Sequence, residues 1–132
     1  MTAETLPKCL LVDDDRSMLK VLSQCMEALG FEPITAADGD EGLTAFQENH
    51  PSLVVSDIHM PNRNGLLLLR DIKSSNPHVP VILITGFIHY RAAVNLETAQ
   101  PDAFMEKPFT IERLRSTVSR LRDAIERAWP NE

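Results

Sequence analysis

Continuous apolar runs alternate along this chain with stretches whose apolar residues recur at helical spacing. Lys8–Val12 (KCLLV) is an unbroken apolar run that closes on acids, and it predicts a buried strand. Met18, Leu22, Cys25 and Leu29 then follow at helical intervals, and Gly30 stops the helix they define. Glu32–Ala36 predicts a second, weaker strand, and 40–49 a short helix with Leu43 and Phe46 inward. After Pro51, residues 52–56 (SLVVS) predict the third strand. Residues 60–65 (MPNRNG) form a loop by their proline, asparagine and glycine content. A helix over 66–75 ends at Asn76-Pro77, and 80–85 (PVILIT) is the fourth strand. A helix is predicted over 89–99, a short fifth strand over 102–105, and a long amphipathic helix over 110–129 with Thr110 as its cap.

Apolar strands alternating with helices mean a parallel sheet covered on both faces. Five such units predict a doubly wound (βα)5 three-layer α/β sandwich. In that architecture the site lies at the carboxyl ends of the strands.

The composition narrows what such a fold does. At 132 residues the chain has the size of one domain and can bury a core without disulfides. With 43% apolar and 24% charged residues it is a folding sequence rather than a disordered one. A net charge of −6 argues against non-specific nucleic-acid binding by this segment, and suits a cation if the acids converge. Cys9 and Cys25 sit among apolar neighbours and read as small buried hydrophobes, and no Cys/His cluster has zinc-ligand spacing. MTAETLPK lacks the pattern of a signal peptide, and no apolar run is long enough to span a membrane, so a reducing cytoplasm is expected.

The strand ends carry the chemistry. The first predicted strand runs into Asp13, Asp14 and Asp15, the third into Asp57, the fourth ends in Thr85, and the fifth is followed by Lys107. Adjacent acids raise one another's pKa, and a hard divalent cation with oxygen ligands relieves that cost. A carboxylate beside such a cation can act as a nucleophile toward phosphorus, with an ammonium neutralising the far side. Gly86 leaves room for the phosphoryl group to approach. Asp15 reads as a helix cap, and His50, His78 and His89 as surface or loop histidines.

This constellation resembles the response-regulator receiver family of two-component signalling, the CheY-like domains. The matching pieces are LLVDDD at 10–15, SDIHMPNRNG at 56–65, ILITG at 82–86 and EKPFT at 106–110, in order and over nearly the whole chain. The resemblance implies a five-stranded parallel sheet of order 2-1-3-4-5. It implies one receiver domain over 1–132, with a core of about 8–122 and a helical extension or linker over 123–132. Asp57 matches the phosphoacceptor, and Asp13 and Asp14 the acidic pair that holds Mg2+ (Mn2+ could substitute), Asp14 being the expected direct ligand. The backbone carbonyl of His59 completes the protein's share of the metal shell. Thr85 and Lys107 match the residues that contact the phosphoryl group, Phe104 matches the switch aromatic, and Lys107-Pro108 matches a cis peptide. The implied partners are a histidine kinase or histidine phosphotransfer protein and a downstream output domain or protein, with a phosphorylation-dependent homodimer a further option. The implied output is a change in the face made by the fourth helix, fifth strand and fifth helix. The ILITG and EKPF wording is closest to receivers attached to transcriptional regulators.

Some positions depart from the family pattern. Arg63 stands where an apolar residue is usual, so it either opens the loop after Asp57 or folds outward. Gln100-Pro101 replaces a small-residue ending, and the bulky His59 and Phe87 are expected to flank the phosphoryl group and restrict water. Ile111, Leu114, Val118, Leu121, Ile125 and Ala128 form one apolar stripe whose early members should pack on the sheet. Its later members read as a frayed tail or as the start of a helical linker or coiled coil. Arg113, Arg115, Arg120, Arg122 and Arg127 read as a solvated face or as a contact for an acidic partner, and Trp129 as packing or a partner contact.

Two other functions use the same residues. A magnesium-dependent phosphohydrolase with an aspartyl nucleophile needs a second acid two residues after Asp57, where His59 stands, and a cap insertion the chain lacks. A degenerate receiver would bind partners without phosphorylation, against which the full set of key side chains counts. The expected chemistry is therefore self-catalysed phosphotransfer and autodephosphorylation, not turnover of a separate metabolite.

Overall fold

The computed structural model describes residues 6–86 and 99–129. Its sheet has five strands in the order β2-β1-β3-β4-β5: β1 (Lys8–Val12), β2 (Glu32–Ala36), β3 (Leu53–Asp57), β4 (Val81–Thr85) and β5 (Ala103–Glu106). Every pairing is parallel. The helices are α1 (Arg16–Ala28), α2 (Gly39–Asn49), α3 (Gly65–Ser75), α4 (Ile111–Arg120) and α5 (Arg122–Ala128). The helix expected over 89–99 lies, but for its last residue, outside the described residues, as do Phe87 and His89.

Side chains alternate across each strand, and this splits the core in two. Cys9, Leu11, Val55 and Ile84 face Leu22 and Met26 of α1, Leu114 and Val118 of α4, and Ile125 of α5. Leu10, Val12, Val54 and Leu83 face Phe46 of α2 and Leu68 and Ile72 of α3. The central strands β3 and β4 are buried along their full length, which is why they read as unbroken apolar runs. β2 pairs on one side only and is half exposed, so it tolerates Pro33.

The expected long C-terminal helix is two helices, divided at Leu121. Ile111 does not pack on the sheet; it is 56% exposed, in a surface groove beside Val21 and Cys25 of α1. The later stripe is not frayed: Ile125 is buried in the α1-side core, so packing extends past the boundary expected near 122. Cys9 is fully buried as expected, whereas Cys25 is only half-buried on α1. Among the described residues no helix is long and apolar enough to cross a membrane.

Candidate functional site

Backbone hydrogen bonds continue the sheet one step beyond its strands and fix the residues that follow. The Asp13 amide donates to the Ala36 carbonyl at 3.1 Å, the Ile58 amide to Ile84 at 3.0 Å, and the Lys107 amide to Thr85 at 2.8 Å. Asp13, Asp57, Thr85 and Lys107 therefore share one edge.

There the acids converge. Asp13, Asp14 and Asp57 each offer a carboxylate oxygen within 4.8 Å of the others. Asp13 and Asp57 are buried and Asp14 is exposed. One oxygen of each buried acid is held by backbone: Asp13 Oδ1 accepts from the Asp15 amide at 2.9 Å, and Asp57 Oδ1 from the Ile58 amide at 3.0 Å. The other oxygens face Lys107, whose Nζ lies 3.4 Å from Asp13 Oδ2 and 3.6 Å from Asp57 Oδ2. Burial pushes both carboxyls above the usual carboxylate value. The charge of Asp13 raises Asp57 further, while Lys107 and the backbone amide oppose the shift.

A cleft of about 300 Å³ opens on this cluster, lined by Asp13, Asp14, Asp15, Asp57, His59, Gly86 and Lys107. Asp15 also caps α1, its Oδ1 accepting from Ser17 and Met18 as expected for that position. Thr85 does not line the cleft; it is fully buried at the end of β4. Phe104 is half-buried and lies in register with Leu83 on β4, on the same sheet face as Thr85. The Lys107-Pro108 peptide is cis. His50 and His78 are exposed, and Trp129 is half-buried at the end of α5.

Arg63 neither opens the loop nor points into solvent. Its guanidinium pairs with Asp40 of α2 and Asp71 of α3. The neighbouring Asn62, at positive φ, donates to Asp38 Oδ2 at 2.9 Å. Asp38 in turn caps α2 through the Glu41 amide, and these donors hold its carboxyl below the usual range. Sequence reasoning missed this cluster. Its signal was present in Asp38 and Asn64, each placed to cap the helix that follows.

The donor set suits a hard cation. Three carboxylates around one lysine leave unneutralised negative charge, two of the three are desolvated, and all the donors are oxygen. Fold and site together define a receiver of the two-component type. Residues 9–119 match the family described as the response regulator receiver domain, and the chain belongs to that family. It is 36% identical over 110 residues to the C4-dicarboxylate transport transcriptional regulatory protein DctD of Rhizobium meliloti, covering 82% of this chain and 24% of that protein. The chain spans about a quarter to about half the length of the curated relatives it matches. A CheY-like receiver domain protein from Methanospirillum hungatei superposes with a TM-score of 0.85 at 29% identity, covering 93% of this chain and 98% of that one. The response regulator TrrA of Thermotoga maritima, solved in complex with Mg(2+)-BeF, gives 0.81 at 30% identity, covering 88% of this chain and 99% of that one.

Proposed function

We propose that this domain accepts a phosphoryl group on Asp57 from a phosphohistidine of a histidine kinase or phosphotransfer protein, and passes the change to an output domain or partner in the cytoplasm. The observation that carries this reading is the meeting of Asp13, Asp14, Asp57 and Lys107 at one open cleft.

Asp13, Asp14, Asp57 and the backbone carbonyl of His59 would hold Mg2+, a role supported by the donor set and by the Mg(2+)-BeF complex of the related TrrA. When bound, the cation offsets the crowded carboxylates and the charge on the phosphoryl oxygens. The chain's own residues do the rest. A carboxylate oxygen of Asp57 attacks phosphorus. The bond from phosphorus to the donor nitrogen breaks, and its electron pair returns to the imidazole. Lys107 Nζ, already 3.6 Å from Asp57 Oδ2, neutralises a phosphoryl oxygen, and the Thr85 hydroxyl donates to another. Water later hydrolyses the same acyl phosphate, and His59 at the cleft wall restricts its approach.

The new group brings about −1.5 to −2 charge and three acceptor oxygens. Thr85 must shift to reach them, and Phe104, beside it on the same sheet face, turns into the space vacated. The face around β5 and α4 then changes shape as a biased two-state equilibrium. The transcriptional regulators among the relatives suggest that the output is control of transcription. Incubation with magnesium and a small phosphodonor, followed by intact-mass measurement, tests the reading. The wild type should gain one phosphoryl group and Asp57→Asn none. No gain from either the small donor or a histidine kinase would leave a partner-binding domain without phosphorylation.

A further inference from the structure

The loop between Asp57 and α3 is fastened to two helices by one side chain. Arg63 Nε donates to Asp40 Oδ1 at 3.0 Å in the first turn of α2, and Nη1 donates to Asp71 Oδ2 at 2.5 Å on α3. Both are charge-assisted bonds; Arg63 and Asp71 are 29% and 25% exposed in their side chains, so solvent screens that pair less than an open surface pair, while Asp40, at 59%, is the more exposed arm. The backbone is fitted to the same place. A Cβ on Gly39 would collide with the Arg63 carbonyl oxygen, so the loop rests directly on the start of α2. Asn62 adds a third tie through Asp38. At its other end the loop meets the acceptor strand: the Gly65 amide donates to the Ile58 carbonyl at 2.8 Å, and a Cβ on Gly65 would collide with the Asp57 carbonyl oxygen. Between these anchors lies His59, at the wall of the acidic cleft.

We propose that Arg63 is a positioning residue: by bridging Asp40 and Asp71 it clamps the loop after Asp57 onto α2 and α3, and so fixes the His59 backbone at the edge of the carboxylate cluster. This rests on the reading above for what the cleft binds, but the clamp itself is a property of the loop. A planar guanidinium reaches both carboxylates at once, and a single ammonium on a lysine cannot reproduce that fork. The clamp therefore sets how readily the cleft takes its cation, while the reacting groups, Asp57 and Lys107, are untouched.

Three readouts on wild type, Arg63→Met and Arg63→Lys decide it. Amide hydrogen exchange over 58–64 should quicken about fivefold or more in both variants, with exchange in β1 and β3 unchanged. In the small-donor assay the magnesium concentration for half-maximal phosphorylation should rise about fivefold, with the rate at saturating magnesium within about twofold of wild type. Arg63→Lys should not rescue either effect. Unchanged exchange in Arg63→Met overturns the clamp. A fall in saturated rate without a change in half-saturation overturns the positioning role, as does full rescue by lysine. If Arg63→Met fails to fold, Asp40→Ala and Asp71→Ala, each removing one arm, must each show a smaller version of both effects; no effect in either overturns the bridge. If the wild type takes up no phosphoryl group, the functional reading fails, and the exchange contrast still decides whether the clamp exists.

Discussion

Lys107 Nζ stands 3.6 Å from Asp57 Oδ2 and 3.4 Å from Asp13 Oδ2, so one ammonium is shared between two buried carboxylates. The lysine arrives from the end of β5, across β4 from the strand that carries Asp57. Two anions with one counter-charge leave the cleft attractive to a further cation. Lys107→Met should accordingly destabilise the metal-free domain and enlarge the thermal shift produced by magnesium. It should also slow phosphorylation about 100- to 1,000-fold, the usual loss when a donor to a reacting oxygen is removed. Thermal unfolding with and without magnesium, alongside the mass time course, checks both. A variant with wild-type magnesium shift and rate would show that the ammonium does neither job.

The raised carboxyls of Asp13 and Asp57 give the metal-free protein a definite pH dependence. Below the ordinary carboxylate value both acids are protonated whether the chain is folded or not. As pH rises through that value the unfolded chain releases its protons first, because burial holds the folded carboxyls protonated for longer. Stability is then lost until pH has passed the folded values, after which the penalty is constant. In chelator, these two groups should lower stability from about pH 4 upward. Asp13→Asn should remove part of the loss and raise the melting temperature at neutral pH by roughly 3–5 °C, for a gain of about 1 kcal/mol. The same variant should lose most of its magnesium-induced shift. Calorimetry across pH, with and without magnesium, measures both; a melting temperature lowered by the substitution would refute the account.

The two cysteines should behave as different kinds of thiol. Cys9 has no exposed surface, and burial pushes its thiol up to about 12, so almost none is thiolate at neutral pH. Cys25 is half-buried on α1, at a surface groove with Val21 and Ile111. An alkylating reagent should modify Cys25 alone in the folded protein, and Cys9 only as the domain unfolds. Peptide mapping after timed alkylation checks this, and early labelling of Cys9 would contradict the core as described.

The parts of this molecule that could be read in advance are those fixed by burial. β3 and β4 are apolar along their length because both faces are covered, and their ends announce the site by switching to Asp57 and Thr85. Asp13, Asp14 and Lys107 could be placed with them because a parallel sheet puts all its strand ends on one edge. What escaped was set by contacts distant in sequence. The stripe from Ile111 to Ala128 has unbroken helical spacing, and nothing in it marks the break at Leu121 or the exposure of Ile111. Arg63 could be seen as out of pattern, but its partners lie on two other elements, and only packing α2 beside α3 brings Asp40 and Asp71 within its reach.

Two glycines of the site differ in what surrounds them, and alanine should separate them. At Gly65 a Cβ would collide with the Asp57 carbonyl oxygen and stand 2.8 Å from the Ile58 Cα, both backbone atoms that cannot swing away. Relief requires α3 to move off β3 or the acceptor loop to shift. Gly65→Ala should therefore cost about 1–3 kcal/mol, the range for forced overpacking. Gly86, at the cleft after Thr85, has no atom of the described residues within 4 Å of where a Cβ would point, so Gly86→Ala should change stability by less than about 0.5 kcal/mol. That position nonetheless borders the space a phosphoryl group would enter, so the added methyl should slow phosphorylation while leaving the unfolding midpoint in place. Urea unfolding of both variants with the small-donor assay on Gly86→Ala gives the comparison. Equal stability losses at the two sites would mean that Gly65 sits more loosely against the Asp57 carbonyl than so close an approach implies.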